Sequence, residues 1–458
     1  MTNYRYHISA HNDRIATTTG QRPRFFVRNY GCQMNSRDSE KLSALLLELG
    51  YSAAEGQEDA NFILYNTCCV RESAEDKIWG NLGRLKHRKL GEPDLMIAVT
   101  GCMAQRQEVA AEMEKKHPHI NLVFGTSNRH RLPEFLWKVI ETSKQIVDIT
   151  ETEELPEITD VSVTTREYPH KAGVNIMYGC NNFCAYCIVP HVRGREKSRP
   201  MADILAEVSA LAQDGVKEIM LLGQNVNSYT HGGTLAFPEL LEAVHNIPGV
   251  ERIRFMTSHP KDLSQALIDT IARLPKVCKS IHLPIQSGST KVLADMNRKY
   301  TKEEYLTLIH RLREAVPGIA LSTDIIVGYP GETESDFEET LDVVQKVRFA
   351  TAFTFLYSKR SGTPAAERTD TVAKNIASDR FQRLNATLNP ILVEMNNAKI
   401  GRTFPVMVEE VASPTDYKGR TEDHSLIHFT SETPLHPGDI APVTITYAKT
   451  FYLGGTHA

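Results

Sequence analysis

The sequence lacks several features that mark out whole classes of protein. Its 458 residues contain no apolar run of membrane-spanning length, and residues 1–20 have no apolar core of the kind that a signal peptide needs. The net charge is only −4, which argues against nucleic-acid binding by bulk positive charge, so any such binding has to use local patches. Cysteine is scarce, with eight residues, and their arrangement suits a reducing compartment better than a disulfide framework. We therefore expect a cytoplasmic protein without membrane segments.

The length and composition of the chain indicate several globular domains. A chain of 458 residues is too long for one ordinary hydrophobic core, and 41% hydrophobic with 24% charged residues is typical of globular proteins. Changes in composition and hydrophobic periodicity suggest where the domains begin and end. We predict a polar tail (1–22), an α/β domain (23–141), an acidic linker (142–165), a second α/β domain (166–396) and a small β domain (397–458).

Three cysteines lie within one short segment, which we call the cluster loop (179–187). Cys180, Cys184 and Cys187 have the spacing C-x3-C-x2-C, which random placement of the cysteines would produce roughly once in several hundred such chains. Three thiolates from one loop can hold a soft metal centre. A structural zinc usually has four protein ligands, and no histidine follows until His191, whereas a 4Fe-4S cluster on three thiolates keeps one iron open for chemistry. A structural zinc site or a cluster of reduced thiols is the alternative.

Three more cysteines follow predicted strands of the first α/β domain. Short apolar runs lead to Cys32, Cys68 and Cys102, and the intervals between them are each about one βαβ unit long. Ligands bind at the carboxyl ends of strands in an open parallel sheet, so these three thiols can meet on one ligand. Adjacent strand residues point to opposite faces, so only one of Cys68 and Cys69 is expected to be a ligand. A single strand-end cysteine would more simply be a buried core thiol, which is how we interpret Cys278.

A repeated strand and helix pattern covers the second α/β domain. It predicts a (β/α) barrel or part of one. Each strand-like run leads into a polar or glycine-rich loop at the strand end where barrel active sites are built, and the first of these is the cluster loop. His259 lies in another of these loops and is either a polar contact or a buried, hydrogen-bonded histidine. The six runs are 174–177, 218–222, 252–255, 280–283, 321–327 and 351–357.

The small β domain contains three strand-like runs separated by glycine and proline turns. They are residues 406–409, 426–429 and 443–447. This pattern predicts a small antiparallel barrel. Its composition alone would allow a structural cap as well as a binding module.

Two groups of basic residues are candidates for contact with a phosphate-bearing substrate. The first group ends a predicted helix over 74–90, and the second follows the cluster loop closely. Cations beside a metal centre suit a phosphate-bearing substrate, and a solvated charged face is the alternative for both groups. The groups are Arg84, Lys86, His87, Arg88 and Lys89, and Arg193, Arg195, Lys197 and Arg199.

Several of these motifs resemble one known family. The cluster loop, with the aromatic Tyr186 before its last cysteine, resembles that of the radical SAM enzymes, and G-C-Q-M-N at 31–35 resembles the MiaB-type branch of the radical SAM methylthiotransferases. The barrel loops G-Q-N, S-H-P, Q-S-G-S and V-G-Y-P-G-E-T match the same pattern, as does N-T-C at 66–68, which selects Cys68 over its neighbour. Arg195 departs from the family, which has an acid there. The small β domain, with G-R-T-E at 419–422, resembles a TRAM domain, an RNA-binding module.

The resemblance covers nearly the whole chain and implies a set of cofactors. These are two 4Fe-4S clusters and S-adenosylmethionine, which would serve as methyl donor and as radical source. Cys180, Cys184 and Cys187 would hold the cluster that cleaves S-adenosylmethionine, and Cys32, Cys68 and Cys102 would hold an auxiliary cluster. Gln224, Asn225, Gln286 and Ser287 would bind S-adenosylmethionine, and Arg193 and Arg199 would bind the substrate.

The implied reaction is methylthiolation of carbon 2 of N6-dimethylallyl-adenosine at position 37 of a tRNA. One S-adenosylmethionine would methylate a sulfur on the auxiliary cluster, and a second would supply the radical that activates the C–H bond. No side-chain base can remove that hydrogen, so we assign no catalytic acid or base. The expected partners are tRNA and a reductant such as flavodoxin or ferredoxin, and a monomer is expected.

Two alternatives remain at this point. The first is a methylthiotransferase for threonylcarbamoyl-adenosine in tRNA or for a ribosomal protein, and the second is a non-catalytic iron–sulfur protein that binds RNA. The expected fold class is α/β, with an N-terminal parallel-sheet α/β domain, a central radical SAM (β/α) partial barrel and a C-terminal small antiparallel β-barrel like that of TRAM domains.

Overall fold

Two units make up the computed structural model, which describes residues 3–69, 72–152 and 166–458. The first unit consists of Met1–Glu167, Tyr178–Asn181 and Ile188–Lys197. The second consists of Tyr168–Met177, Asn182–Cys187 and Ser198–Ala458. The cluster loop therefore contributes Cys180 to the first unit and Cys184 and Cys187 to the second.

The first unit is built on a parallel sheet of six strands. They are β1 (Arg24–Tyr30), β2 (Ser52–Ala53), β3 (Phe62–Thr67), β4 (Met96–Gly101), β5 (Leu122–Phe124) and β6 (Ile146–Asp148), in the order β2-β1-β3-β4-β5-β6. The helices are α1 (Tyr4–Thr19), α2 (Gln33–Glu48), α3 (Glu72–Gly91), α4 (Gln107–Lys116), α5 (Leu132–Thr142) and α6 (Val189–Arg193). The order reverses between β1 and β3, which makes this the switch point where such sheets bind ligands.

Helices cover both faces of this sheet. Every residue of β3 is buried, and its alternate side chains pack into two separate cores. Phe62 and Leu64 face a core with helix α2, whereas Ile63 and Tyr65 face a core with helix α3. A strand buried on both faces is an apolar run without polar alternation, which is why the sequence pattern predicted a parallel sheet.

The polar tail predicted over residues 1–22 is wrong for its greater part. Residues Tyr4–Thr19 form helix α1, which lies against α5. Its few inward side chains are anchored to other elements, since Ile8 is buried and Asn12 Nδ2 donates to the Leu49 carbonyl oxygen at 2.9 Å. The sequence pattern missed this helix because its contacts are made by a few residues to a distant part of the chain.

The linker predicted over residues 142–165 is wrong at its start. Ile146–Asp148 form β6, which pairs in parallel with β5 at the edge of the sheet. Residues 153–165 of this predicted linker lie outside the described residues.

The predicted partial barrel forms the larger part of the second unit. Six parallel strands lie in chain order in two sheets, β7-β10-β13 and β14-β15-β16, and the described end strands β7 and β16 do not pair. These strands are β7 (Lys171–Asn175), β10 (Glu218–Leu222), β13 (Arg252–Phe255), β14 (Ser280–His282), β15 (Ala320–Val327) and β16 (Thr351–Leu356). The helices are α7 (Met201–Gln213), α8 (Phe237–His245), α9 (Gln265–Arg273), α10 (Thr290–Asp295), α11 (Lys302–Ala315), α12 (Glu334–Val347) and α13 (Lys374–Asn397). Two-residue strands complete the numbering, namely β8 (Met177–Tyr178), β9 (Lys197–Ser198), β11 (Thr230–His231) and β12 (Thr234–Leu235).

The C-terminal part of the second unit is a closed barrel of five strands. They are β17 (Thr403–Val411), β18 (Asp416–Arg420), β19 (Leu426–Thr430), β20 (Ile440–Ala448) and β21 (Leu453–His457). The sequence pattern predicted β17, β19 and β20 but missed the other two, because β18 and β21 contain glycines in place of apolar side chains. A side chain at Gly455 would lie 2.5 Å from the Thr444 carbonyl oxygen, so the barrel needs glycine there. The pairing of β19 with β21 is parallel, and the other pairings of the barrel are antiparallel as predicted.

Two arginines of β13 attach the small barrel to the partial barrel. Arg252 donates to the carbonyl oxygens of Arg420 and Pro405, both at 2.8 Å. Arg254 donates to those of Glu422 at 2.9 Å and Thr421 at 2.7 Å. These four bonds to backbone oxygens hold the two parts of the unit in one orientation.

Candidate metal centres and cofactor site

The first unit brings its three predicted metal-binding cysteines to adjacent strand ends. Cys32 follows β1, Cys68 follows β3 and Cys102 follows β4, and these strands are neighbours in the sheet. The Cys102 amide donates to the carbonyl oxygen of Thr67, next to Cys68, at 2.9 Å. Because β1 and β3 flank the switch point, the cysteines lie where a ligand is expected.

Two asparagines explain the motifs around these cysteines. In G-C-Q-M-N, the Asn35 side chain accepts a hydrogen bond from the Cys32 thiol at 3.3 Å and donates to the Thr67 carbonyl oxygen at 3.0 Å. In N-T-C, the Asn66 side chain donates to the Asn35 carbonyl oxygen at 2.8 Å. The two motifs are therefore hydrogen-bonded to each other, and the side-chain amides of Asn35 and Asn66 fix the loops that carry Cys32 and Cys68.

Gly101 allows the loops of Cys68 and Cys102 to approach closely. Its φ of +99° is one that L side chains rarely adopt. A Cβ at this position would lie 2.2 Å from the Thr67 carbonyl oxygen. Glycine before the cysteine is thus a requirement of the spacing between these two thiols.

Cys69 is a neighbour of the candidate centre. It is buried together with Cys102 and with Ile188 and Val192. A hydrogen bond from the Cys69 thiol, assisted by the charge of Arg193, outweighs burial and lowers the pKa of the Cys102 thiol to about 6. Donating that bond and being buried raise the pKa of Cys69. The pair therefore favours a thiolate at Cys102 and a neutral thiol at Cys69.

Arg193 was predicted to bind the substrate, and the structure gives it a different environment. Its side chain is 5% exposed, and Nε donates to Cys102 Sγ at 3.3 Å while Nη2 contacts Asp38 Oδ2 at 3.3 Å. Burial acts to lower the pKa of Arg193, but the charges of Cys102, Asp38 and Cys32 raise it overall. The guanidinium is directed at the candidate metal centre and not at solvent, and its role in substrate binding stays a prediction.

The substrate role of Arg199 also stays a prediction, and its side chain is buried as well. Its side chain is 4% exposed, pairs with Glu207 at 2.7 Å and donates to the Asn175 carbonyl oxygen at 2.6 Å. It belongs to the packing of the barrel. The sequence pattern of basic residues after the cluster loop did not indicate that the side chains of Arg193 and Arg199 are buried.

The cluster loop is held at both ends of its cysteine segment. In the first unit, the Cys180 amide donates to the Gly194 carbonyl oxygen at 3.2 Å. In the second unit, the Cys187 amide donates to the Cys184 carbonyl oxygen at 2.9 Å, and the Asn297 side chain donates to the carbonyl oxygen of Phe183 at 2.9 Å. Phe183 has a positive φ, which is uncommon for a bulky residue and is a strained state that proteins keep mainly at functional sites.

Arg298 is a functional candidate that the sequence analysis missed. Its guanidinium is buried, and Nη1 lies 3.5 Å from Cys184 Sγ while Nη2 donates to the Pro284 carbonyl oxygen at 2.7 Å. Burial acts to lower its pKa, but nearby Tyr300, Tyr186 and Cys184 raise it overall. No sequence signal distinguished this arginine from a surface residue.

The residues predicted to bind S-adenosylmethionine divide into two groups. Asn225 uses both amide atoms within the protein, since it donates to Asp262 Oδ2 at 2.7 Å and accepts from the His259 amide at 3.1 Å. Ser287 is fully buried and accepts from the Ser289 amide at 3.2 Å. These two side chains hold loops in place through the bonds described, and their contact with S-adenosylmethionine stays a prediction.

Gln286 and Gln224 remain candidates for the cofactor. Gln286 is 7% exposed, has a φ of +72° and makes no side-chain hydrogen bond to a described residue. Its backbone pairs with β15, which fixes the strained position. Gln224 follows β10 directly, at the same end of the barrel. A polar side chain that is buried but unbonded on a strained backbone is typical of a ligand contact.

Two further polar side chains are buried at this end of the barrel. Asn227, after β10, and Ser258, after β13, are each 3% exposed, and their side chains have no hydrogen-bond partner among the described residues. Thr257, before Ser258, has a φ of +64° that is rare for a β-branched residue. His259 is a buried histidine that accepts from the Lys261 amide at 3.3 Å, and burial, with Arg298 and Lys261 nearby, lowers its pKa to about 2.

The donor set fits iron–sulfur clusters better than single metal ions. No three or more His, Cys, Asp or Glu side chains in the described parts of the chain are placed to hold one metal ion. A zinc ion needs all its thiolates about 2.3 Å from one point, whereas the thiolates of a 4Fe-4S cluster bind different irons and lie further apart. Each set of three cysteines also has one sulfur that faces a buried guanidinium, which suits an anionic cluster.

Comparison with known proteins places the chain in a family. Residues 24–125 match the uncharacterized protein family UPF0004, residues 174–344 the radical SAM superfamily and residues 397–457 the TRAM domain. The chain is 48% identical over 449 residues to the tRNA-2-methylthio-N(6)-dimethylallyladenosine synthase of Acetivibrio thermocellus, covering 97% of this chain and 93% of that protein. It is 49% identical over 442 residues to the protein of the same name from Alkaliphilus oremlandii, with coverage of 95% and 93%. The chain belongs to this synthase family.

Family membership confirms several predictions. The enzyme class is that of a radical SAM tRNA methylthiotransferase, and 4Fe-4S clusters and S-adenosylmethionine are the cofactors. The fold is also similar to that of TsrM from Kitasatospora setae, a radical S-adenosylmethionine methyltransferase, with a TM-score of 0.55 and 14% identity over 81% of this chain and 89% of that one. Within the described parts of the chain, no helix has the length and apolar character to cross a bilayer.

Proposed function

We propose that this protein methylthiolates carbon 2 of N6-dimethylallyl-adenosine at position 37 of tRNA. The observation that carries the proposal is identity of 48% over 97% of the chain with a synthase of that product. Two sets of three cysteines, one in the cluster loop and one at three adjacent strand ends, support it.

The cysteines divide between two clusters in this proposal. Cys180, Cys184 and Cys187 hold the 4Fe-4S cluster next to S-adenosylmethionine, and Cys32, Cys68 and Cys102 hold the auxiliary cluster. When bound, these groups supply the sulfur, the methyl group and the radical that the reaction needs. Asn35, Asn66 and Gly101 fix the spacing of the auxiliary thiols through the contacts described above.

The polar side chains at the barrel end position S-adenosylmethionine. Gln286, Asn227 and Ser258 are buried there without partners among the described residues, so a bound molecule would satisfy them. Gln224 is assigned to the same end by its place after β10. Asn225 acts through the loop of His259, which it ties to Asp262.

Fewer basic residues of helix α3 are available to contact tRNA than the sequence suggests. On α3, Arg88 pairs with Glu92 at 2.7 Å and donates to the Ala60 carbonyl oxygen at 2.9 Å, and Lys89 donates to Asn121, so both serve the first unit. Arg84, Lys86 and His87 are exposed on the same helix and remain candidates for the phosphate backbone, together with the small barrel. Neutralising these three residues should weaken tRNA binding and flatten its salt dependence.

The remaining partners are also part of the proposal. A low-potential reductant such as flavodoxin or ferredoxin delivers the electron, the enzyme acts as a monomer, and it works in the cytoplasm, where tRNA is modified. The match to the TRAM domain supports tRNA as the partner.

Nucleoside analysis of tRNA tests the function. Anaerobically reconstituted protein, with about eight irons per chain, should convert the dimethylallyl nucleoside to its 2-methylthio derivative. The Cys184→Ala variant is the matched inactive control. A product on threonylcarbamoyl-adenosine or on a ribosomal protein instead would contradict the proposed substrate, and bound RNA without 5′-deoxyadenosine would contradict enzymatic function.

A further inference from the structure

A buried charge network lies beside the candidate auxiliary centre in the first unit. Arg193 forks between three acceptors, with Nε on Cys102 Sγ at 3.3 Å and Nη2 on Asn35 Oδ1 at 3.2 Å and Asp38 Oδ2 at 3.3 Å. Arg129 Nη1 donates to the same Asp38 oxygen at 2.6 Å. All three charged side chains are at most 5% exposed.

The buried charge of Arg193 faces a cysteine sulfur as well as a carboxylate. A buried charge without a partner is costly, and it is retained only where an anion compensates it. The atom that Arg193 Nε faces is Cys102 Sγ, so a metal-bound thiolate at this position places negative charge directly beside the guanidinium.

The contacts of Arg193 Nη2 with Asn35 and Asp38 also fix the direction of its Nε–H group. Asn35 and Asp38 both lie on α2, and the chain bearing Arg193 is anchored separately, because Thr126 Oγ1 donates to the Val192 carbonyl oxygen at 2.6 Å. A planar guanidinium held at Nη2 has little freedom at Nε. The donor to sulfur is therefore preorganised by contacts that do not involve the sulfur.

Hydrogen bonds and positive charge near a ligating sulfur favour the reduced form of an iron–sulfur cluster. The added electron increases the negative charge on the sulfurs, and a fixed N–H and guanidinium stabilise that charge. We propose that Arg193 is a positioning residue that raises the reduction potential of the auxiliary cluster through its hydrogen bond to Cys102. This inference rests on the proposed assignment of Cys32, Cys68 and Cys102 to that cluster.

The test uses the full chain with Cys180, Cys184 and Cys187 replaced by alanine, so that only the auxiliary cluster remains. Its midpoint potential is measured by redox titration followed by electron paramagnetic resonance. Arg193→Met should shift the potential downward because both the donor and the charge are lost. Asp38→Asn should shift it upward, because the same guanidinium groups then have less negative charge beside them. Arg195→Met, an exposed arginine two positions away, should leave it unchanged.

Opposite shifts from Arg193→Met and Asp38→Asn distinguish this role from a merely structural one. The inference is overturned if Arg193→Met keeps its iron and its cluster has an unchanged midpoint potential. It is also overturned if Arg193→Met loses its iron while Asp38→Asn keeps a cluster at the original midpoint potential. If Arg193→Met does not fold, Asp38→Asn decides alone, by an upward shift or none. Absence of iron from the parent triple-alanine protein contradicts the proposed auxiliary site itself, a result that is separate from any effect of Arg193.

Discussion

We expect a single added methyl group at Gly101 to destabilise the protein and to disrupt the site of the auxiliary cluster. The substitution Gly101→Ala places a Cβ 2.2 Å from the Thr67 carbonyl oxygen at a φ of +99°. An L residue in left-handed backbone costs about 1–2 kcal/mol, and overpacking of a buried contact adds about 1–3 kcal/mol. We therefore expect the free energy of unfolding to fall by about 2–5 kcal/mol. The loops of Cys68 and Cys102 must also separate, so iron should be lost from this site.

The matched control is Gly83→Ala on helix α3 of the same unit. A Cβ at Gly83 meets no atom within 4 Å, and alanine is favoured over glycine in a helix by about 0.5–1 kcal/mol. Gly83→Ala should therefore be slightly stabilising and keep all its iron. Urea unfolding followed by circular dichroism, with iron analysis of anaerobically reconstituted protein, measures both effects. A Gly101→Ala protein with the parent midpoint and full iron content would refute the reasoning.

Three further outcomes follow from the second unit and from α1. Gln286→Ala should weaken the binding of S-adenosylmethionine about tenfold, because one or two hydrogen bonds to the ligand are lost. Ser287→Ala should lower the stability of the protein but keep its affinity for S-adenosylmethionine. Anaerobic calorimetry that shows the reverse would contradict the assignment of these two residues. His259 has its pKa lowered to about 2 by burial, so the unfolded chain takes up a proton below about pH 6.5 that the folded chain does not, and stability falls as the pH decreases from there toward 2. His259→Asn should flatten this decrease by up to about 1.4 kcal/mol per pH unit in urea titrations between pH 7 and 5, and an unchanged slope would argue against the buried neutral ring. Removal of residues 1–22 should lower the thermal midpoint of the first unit because α1 buries Ile8 and Asn12, and an unaltered melting curve would show that the helix contributes nothing.

Local patterns were enough for the elements that are stabilised locally. Strands β1, β3 and β4 of the first sheet and the six barrel strands were predicted because buried parallel strands are short apolar runs, and the helices predicted between them repeat their apolar residues every three or four positions. Elements with few apolar residues of their own were not predicted. Helix α1, strand β6 and the glycine-containing strands β18 and β21 exist because distant parts of the chain supply their partners.

The residues of the candidate site also fall into those that local sequence patterns identified and those whose role depends on tertiary contacts. Cys180, Cys184 and Cys187 were recognisable because their spacing lies within one loop, and Cys32, Cys68 and Cys102 because strand ends recur at a constant interval. The loop-holding bonds of Asn225 and Ser287 were not foreseen, because a loop motif has the same letters whether its side chains face a ligand or hold the loop. Gln286 was distinguished from its neighbour only by its backbone conformation and its lack of a partner among the described residues.

The sequence by itself determined which residues can carry the chemistry, because thiolate spacing and strand order are properties of neighbouring letters. Only the tertiary structure decided which charged residues serve that chemistry. Arg193 follows the cluster loop in the sequence, yet it meets Asp38 and Cys102 from elsewhere in the chain, whereas Arg199, six residues later, packs against Glu207 in the barrel. The physical reason is that burial and the partner of a charge depend on the packing of distant segments, which no local pattern records.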